Sequence, residues 1–540
     1  MRELKRVPWP FRGLVVVGLA VLCALAIPGK GKPADSAVVG AKAGPPPTPV
    51  PGQKRAYLGP YFVVVVIDAA RADEINLASM PNLAALSARG TTYSNAWVGQ
   101  LPSITESSHA TIGTGVLPKR HLILGDTWRI PGTSQMSPNL LDATLTRTGY
   151  IGKLIQQTHV PSLAAYVHQR YPGSLVAAIS GHKVYAADGL GAGAADFVAF
   201  GAKDARGHFV PAAIPGREPV PSLLQSAQLD LPQYPRVPGI EDWWTTTLGL
   251  KLLFKYHPRL LMINLPEVDT FGHVVGTNAA VIQPLMSNVD TQIRRLVAAY
   301  TRAGLIDQTY FIVTADHGMV PAVHTIDIEQ IRNVITGAGG QPLYIGHGDY
   351  NTIWLKNLDA VPRVAAALVA AHIHGVDAVY MKSPQGRYTL ASPASWLADA
   401  AVSGAYSQLL GTINQGESPD IALMYDENTI TMTPLFRTVG RKGDHEGATW
   451  GSQHIPLVIA GPGIKRDRTS GYPARLVDIA PTIETLMGAT PAHQDGVPLA
   501  DAMATPPSWA MTAQTIRGNR LTPLVLALER EAALRPNLTP

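Results

Sequence analysis

The chain has 540 residues, 46% hydrophobic and 15% charged, a composition that suits a large buried core and excludes wholesale disorder. Its single cysteine, Cys23, excludes an intrachain disulfide and any later cysteine nucleophile or cysteine metal ligand. The formal charge is +5, but residues 1–55 carry nine Lys/Arg against two Asp/Glu, so residues 56–540 sum to about −2 and give no electrostatic case for specific nucleic-acid binding.

Arg2, Lys5, Arg6 and Arg12 precede an unbroken apolar run over residues 13–27, with Ala24-Leu25-Ala26 as a small-x-small site and Pro28 after it. Residues 1–27 read as an export signal, which places the mature chain in the periplasm or outside the cell. The run is shorter than the about 20 residues of a spanning helix; an uncleaved membrane anchor through residues 13–27 is the other reading. Leu22 is bulky where a lipoprotein signal has a small residue. Residues 28–56, rich in Pro, Gly and Ala, read as a linker.

Tyr61–Ile67 (YFVVVVI) is a continuous β-branched run, the pattern of a central parallel strand buried on both faces. Asp68 follows at its carboxyl end, where ligands bind in open α/β sheets, unless it only caps a helix. Pro81 suits the first turn of a helix. Residues 101–115 (LPSITESSHATIGTG) set the hydroxyl of Thr105 between Pro102 and a run of small residues. Small residues allow close backbone packing and an abrupt helix start. Thr105 there is either a nucleophile or, with Ser103 and Ser107, a helix cap.

Residues 129–241 read as helices and loops decorating a core, with no secure assignment. Residues 243–255 suit an amphipathic helix, and residues 259–265 a second buried strand, after which Asp269 and His273 stand four apart. Residues 281–305 suit another helix. Residues 308–314 suit a third strand, followed at once by Asp316-His317. Three strands thus each deliver an acid past their carboxyl ends. A β-α-β pattern from residue 337 marks residues 337–400 as an inserted cap lobe over the metal edge of the sheet. It divides a catalytic core into residues 57–336 and 401–505, with 506–540 as a tail. The loop holding His445 precedes a strand over 455–460 and a closing helix over 475–487. The expected fold class is α/β, a largely parallel sheet flanked by helices plus the small α/β lobe.

Asp and His without Cys suit a hydrolytic zinc site better than a structural one. The candidates divide into two sets. Asp68, Asp316 and His317 could hold one ion, with Thr105 as fourth ligand. Asp269, His273 and His445 could hold the other and leave a position for water. Two ions about 4 Å apart clamp the attacking and leaving oxygens of an in-line displacement. A metal-bound threonine hydroxyl loses its proton more easily.

PSITESSHATIGTG, DTFGHVVG, ADHGM and GDHEG…HIPLVIAGPGI, in this order, resemble the alkaline phosphatase superfamily, above all its type I phosphodiesterase/nucleotide pyrophosphatase group and the related single-threonine alkaline phosphatases. The resemblance implies two zinc ions on the seven residues above and Thr105 as the attacking group. It implies that His109 and His454 support loops and are not ligands; His121 and His347 read as structural or surface residues. Relatives place an asparagine about 21 residues after the nucleophile to hold a phosphoryl oxygen; here Asp126 stands there, a substrate-binding position where a carboxylate would repel phosphate unless protonated or turned away. Monoesterase-like members also carry a Lys-x-Arg pair, which residues 179–184 (ISGHKV) lack; that favours diesters. The sulfatase branch is disfavoured, having no counterpart here to its modified cysteine. The expectation is an exported two-zinc phosphodiesterase acting on small phosphate esters. An alkaline phosphomonoesterase and a non-catalytic binding protein of the same fold are the alternatives. The oligomeric state is not legible.

Overall fold

The structure is a computed structural model that describes residues 59–203, 209–215, 217, 238–391, 400–413 and 416–534. The signal, anchor and linker expected over residues 1–56 lie outside the described residues. Among the described residues no helix is long and apolar enough to cross a membrane.

Tyr61–Ile67 is the fifth strand of a nine-stranded sheet ordered Arg468–Ser470, Gly90–Tyr93, Leu457–Ala460, Thr309–Thr314, Tyr61–Ile67, Leu260–Leu265, Val176–Ile179, Phe197–Lys203, Phe209–Ala213. It runs parallel to both its neighbours, and all seven of its residues are buried. Helices cover both faces, so its sequence has no polar alternation. The antiparallel pairs lie toward the sheet's flanks, where Leu457–Ala460 joins Thr309–Thr314 and Phe209–Ala213 joins Phe197–Lys203. The helices expected near 243–255 and 281–305 are Ile240–Tyr256 and Ala279–Arg302, packed on each other.

The small-residue stretch forms the fully buried helix Thr105–Thr114. It packs against Val184–Gly191, and with Lys183 beside Thr105 at one end and Gly189 beside Gly113 at the other the two helices run the same way. A Cβ on Gly113 would sit 2.5 Å from the Gly189 carbonyl oxygen and 2.6 Å from that of Leu190; one on Gly189 would sit 3.0 Å from the Ala110 nitrogen. The small residues therefore serve a backbone-to-backbone contact. The contact also sets the first residue of one helix, Thr105, beside Lys183, the residue preceding the other.

A second, five-stranded sheet forms the lobe, ordered Pro342–Ile345, Tyr350–Leu355, Ile421–Tyr425, Val376–Lys382, Tyr388–Leu390, every pair antiparallel. The β-α-β pattern is present as Tyr350–Leu355, Val361–Ala370 and Val376–Lys382, but its two strands are not neighbours. Ile421–Tyr425 lies between them, antiparallel to both. The lobe thus runs past the expected limit at residue 400, because the apolar strand that fills the gap comes back some forty residues later in the chain. One face of this sheet packs on Val361–Ala370 through Ile353, Leu423, Val364 and Leu368. The other face takes helix Ala400–Leu410. That helix in turn packs on Ser508–Ala533, so the expected tail is a buried-faced helix covering the lobe.

Candidate active site

The parallel register brings the three acids to one edge. Ile67 pairs with Leu265 and Val66 with Thr314, so the three strands end nearly level. Asp68 leaves the first strand, Asp269 stands in the first turn of helix Glu267–Val275 after the second, and Asp316-His317 follows the third. His273 lies one turn after Asp269 on the same helix face. His445 arrives from the chain returning out of the lobe. The Ser103 N–H donates to the Glu446 carbonyl at 2.9 Å, which ties this loop to the one before Thr105. The N-cap of Thr105–Thr114 is Ile104, which makes no side-chain cap bond, and Ser103 Oγ donates to the Gly447 carbonyl instead. The capping role weighed for these hydroxyls is therefore not the one Thr105 plays.

The structure brings the six acid and imidazole candidates together in two groups. Asp68, Asp316 and His317 form one group and Asp269, His273 and His445 the other, each with its ligand atoms within 4.8 Å of one another. Thr105 Oγ1 is 3.2 Å from His317 Nε2. The imidazole tautomers follow from geometry. His273 Nδ1 is 3.0 Å from the Gly443 carbonyl, His317 Nδ1 2.9 Å from that of Gly318, and His445 Nδ1 3.2 Å from that of Ser103. A carbonyl only accepts, so each Nδ1 carries the hydrogen and each Nε2 turns a lone pair inward. His445 Nε2 and His273 Nε2 face Asp269 Oδ1 at 3.3 and 3.4 Å, and His317 Nε2 faces Asp316 Oδ2 at 3.3 Å. Both of these carboxylate oxygens are buried without a hydrogen-bond partner. Lone pairs aimed at lone pairs in a buried site repel unless a cation lies between them. This donor set fits a divalent, borderline-soft metal ion in each group.

The electrostatics agree. Burial, then the Arg441 charge, holds His273 down at about 3; burial, then His317, holds His445 at about 4. Both rings are neutral at pH 7, the form that ligates metal. Burial, then the Asp316 charge, pushes the Asp68 carboxyl up to about 7. Burial also opposes the charge on Asp269, but Lys183 and His273 override it and hold that carboxyl well below the usual range. The two acids shift oppositely although both bind Lys183: Asp68 faces Asp316, whereas Asp269 faces two imidazoles. Three carboxylates against one ammonium leave the pocket with surplus negative charge.

Lys183 is the residue that sequence reasoning passed over. Its Nζ donates to Asp269 Oδ2 at 2.6 Å, Asp68 Oδ1 at 2.7 Å and Thr105 Oγ1 at 3.3 Å, so it bridges both groups at the nucleophile. The segment 179–184 does lack a Lys-x-Arg pair, since Tyr185 stands where the arginine would be, but its lysine occupies the site. The available signal was positional: Lys183 follows a strand, Val176–Ile179, that ends at the same sheet edge. Asn264 was also missed; its Nδ2 donates to Asp68 Oδ2 at 2.9 Å.

The remaining histidines divide. His109 Nδ1 is 2.8 Å from the Thr105 carbonyl and 3.5 Å from Asp316 Oδ2, which supports the helix start behind the first group. His454 Nε2 donates to the Ser94 carbonyl at 2.9 Å, outside both groups, and its ring stacks on Trp450. His121 is buried, with Nε2 3.0 Å from Thr111 Oγ1. His347 packs edge-on against Phe436, consistent with a structural role, and also stands with Asp126 and Glu446 in a third group, apart from the other two.

The sequence pattern of type I phosphodiesterases/nucleotide pyrophosphatases matches residues 62–446, a span that contains Thr105 and both groups. The chain belongs to this family. A family relative, an uncharacterized pyrophosphatase/phosphodiesterase of Schizosaccharomyces pombe, is 25% identical over 265 residues, 48% of this chain and 44% of the relative, so the match spans under half of that protein. Among solved structures, the wild-type alkaline phosphatase PafA superposes with a TM-score of 0.62 at 15% identity, covering 82% of this chain and 99% of that one. Murine ectonucleotide pyrophosphatase/phosphodiesterase 5, as an inactive threonine-to-alanine variant in complex with AMP, superposes at 0.53 with 17% identity, covering 84% and 99%. These likenesses show the alkaline phosphatase fold, and the family match supports a phosphoester hydrolase.

Proposed function

We propose that the chain is an exported two-zinc phosphoesterase that cleaves small phosphate diesters of the nucleotide-pyrophosphatase kind through a phospho-threonine intermediate. The observation that carries it is the meeting of three inward Nε2 lone pairs with buried carboxylate oxygens around Thr105 Oγ1. Asp68, Asp316, His317 and Thr105 would hold one ion; Asp269, His273 and His445 would hold the other. Zinc, when bound, supplies Lewis acidity at the threonine hydroxyl and at the departing oxygen. Backbone carbonyls at Gly318, Gly443 and Ser103 keep the imidazoles aimed. Thr105 Oγ1 gives up its proton and attacks phosphorus in line; the bond to the leaving oxygen breaks and phospho-threonine forms. Lys183 Nζ, beside Oγ1, holds a phosphoryl oxygen. Water then attacks phosphorus and releases Thr105 Oγ1, so two inversions give net retention. The AMP complex of the murine relative supports a nucleotide-like ester as substrate.

One observation favours a second reading, phosphomonoester hydrolysis. A monoester dianion carries one more charge than a diester, and the Lys183 ammonium offers a partner for it. Purified full-length protein assayed on p-nitrophenyl phosphate and bis(p-nitrophenyl) phosphate decides between them. The expected result is faster diester cleavage, lost in EDTA and restored by zinc, with about two zinc ions per chain. Activity undiminished in EDTA would overturn the zinc reading, and faster monoester cleavage the diester one. Export is supported by the basic and apolar segments of residues 1–27; secreted material should begin soon after Ala26, and intact Met1 on soluble cytoplasmic protein would refute it.

A further inference from the structure

Asp126, His347 and Glu446 each bring one ligand atom to within 4.8 Å of the others. They come from far apart: the loop after helix Pro118–His121, the turn between lobe strands Pro342–Ile345 and Tyr350–Leu355, and the residue following His445. The turn reaches Glu446 because Gly348, at φ 105°, packs without a Cβ; one built there would strike the His445 carbonyl oxygen at 2.2 Å. His347 Nδ1 is 3.3 Å from Glu446 Oε1.

A second observation points to a ligand. Glu106, next to Thr105, is only 1% exposed, and its Oε2 has no hydrogen-bond partner. The carboxylates whose charges act on it are those of Asp126 and Glu446, so it lies within electrostatic reach of this group. Asp126 Oδ1 is likewise buried and unpartnered. The two cations whose charges reach Asp126 are engaged elsewhere: Arg441 with Asp444 at 2.5 Å, Lys183 with Asp68 and Asp269. Two carboxylates and one imidazole thus meet within electrostatic reach of the buried Glu106 carboxyl, with no ammonium or guanidinium among the described residues hydrogen-bonded to Glu106 or Asp126.

We propose that Asp126, His347 and Glu446 form a third cation site, for a hard divalent ion of the Mg2+/Mn2+ class, separate from the two imidazole-rich groups. Oxygen donors outnumber nitrogen two to one, which favours such an ion over zinc. The site also answers the difficulty of Asp126. With its ion, the Asp126 carboxylate that would repel a phosphoryl group has its charge cancelled beside the start of the Thr105 helix.

Mn2+ tests this without reference to hydrolysis. Full-length, zinc-loaded protein is titrated with Mn2+ and free Mn2+ is read by electron paramagnetic resonance. The expected result is one Mn2+ per chain, weakened about tenfold or more in Asp126→Asn and in Glu446→Gln, with bound zinc unchanged in both. Both substitutions are isosteric; His347→Gln repeats the test should either alter thermal unfolding. Mn2+ binding equal in the parent and these variants, or none in the parent, would overturn the site. So would loss of Mn2+ in Asp269→Asn with retention in Asp126→Asn, which would put the manganese in an imidazole-rich group. Failure of the zinc or hydrolysis reading is seen separately, in zinc content and turnover.

Discussion

Lys183 and Thr105 stand at matching ends of two helices that touch backbone to backbone, and the 3.3 Å between Lys183 Nζ and Thr105 Oγ1 is a product of that contact. The cation and the hydroxyl are therefore placed by glycines six to eight residues away, not by a local motif.

Gly113→Ala puts a methyl against two carbonyl oxygens that cannot turn aside. Overpacking of this kind costs about 1–3 kcal/mol. The variant should unfold at lower temperature and should lose turnover beyond what its folded fraction explains, because separating the helices separates Lys183 from Thr105. Calorimetry and kcat on the same sample check both. An unchanged melting temperature would show that the helices can part freely.

Lys183→Met removes the ammonium and keeps most of the stem. Loss of one preorganised donor at a phosphoryl oxygen should lower kcat by roughly 10²–10³-fold. The loss should be larger for a monoester than for a diester, since the monoester carries the extra charge. Zinc content should not fall, because Lys183 supplies no ligand. Equal rates in parent and variant would remove Lys183 from the reaction.

Thr105→Ala should lose at least about 10³-fold in rate while keeping most zinc, since attack and in-line positioning vanish together and three protein ligands remain. Thr105→Ser should stay substantially active. Ser103→Ala should matter far less, because Ser103 Oγ is committed to the Gly447 carbonyl at 2.8 Å. Chiral-phosphate analysis should show retention; inversion would rule out the covalent intermediate.

His121 gives a pH dependence away from the metal groups. Burial pushes its folded value down to about 3 from 6.5. The unfolded chain then binds the extra proton between these values. The contribution of this residue to stability is full above about pH 6.5 and is lost as pH falls toward 3, with a slope of at most about 1.4 kcal/mol per pH unit. His121→Asn should flatten the fall in unfolding free energy between pH 6.5 and 4 relative to the parent. Parallel profiles would mean the imidazole titrates alike in both states.

Some of this protein was legible in its residues taken in order. YFVVVVI announces a strand buried on both faces, and an acid within a few residues of the carboxyl end of such a run lies near the sheet edge, so Asp68, Asp269 and Asp316 could be placed there before any fold was known. Strand endings are local, and the i, i+4 spacing of Asp269 and His273 is local too. Other features depend on which distant segments become neighbours. Lys183 follows a four-residue, alanine-rich strand with no strong periodicity, and only its docking beside Leu260–Leu265 and the glycine contact carry it to Thr105. Ile421–Tyr425 reads as one more apolar run; the gap it fills exists only once Tyr350–Leu355 and Val376–Lys382 have been set apart. Asp126, His347 and Glu446 share no spacing that chemistry could flag, and they meet because the lobe turn at Gly348 presses on the His445 loop. Hydrophobic pattern and strand ends are written along the chain, whereas side chains separated by a hundred residues or more meet only through tertiary packing.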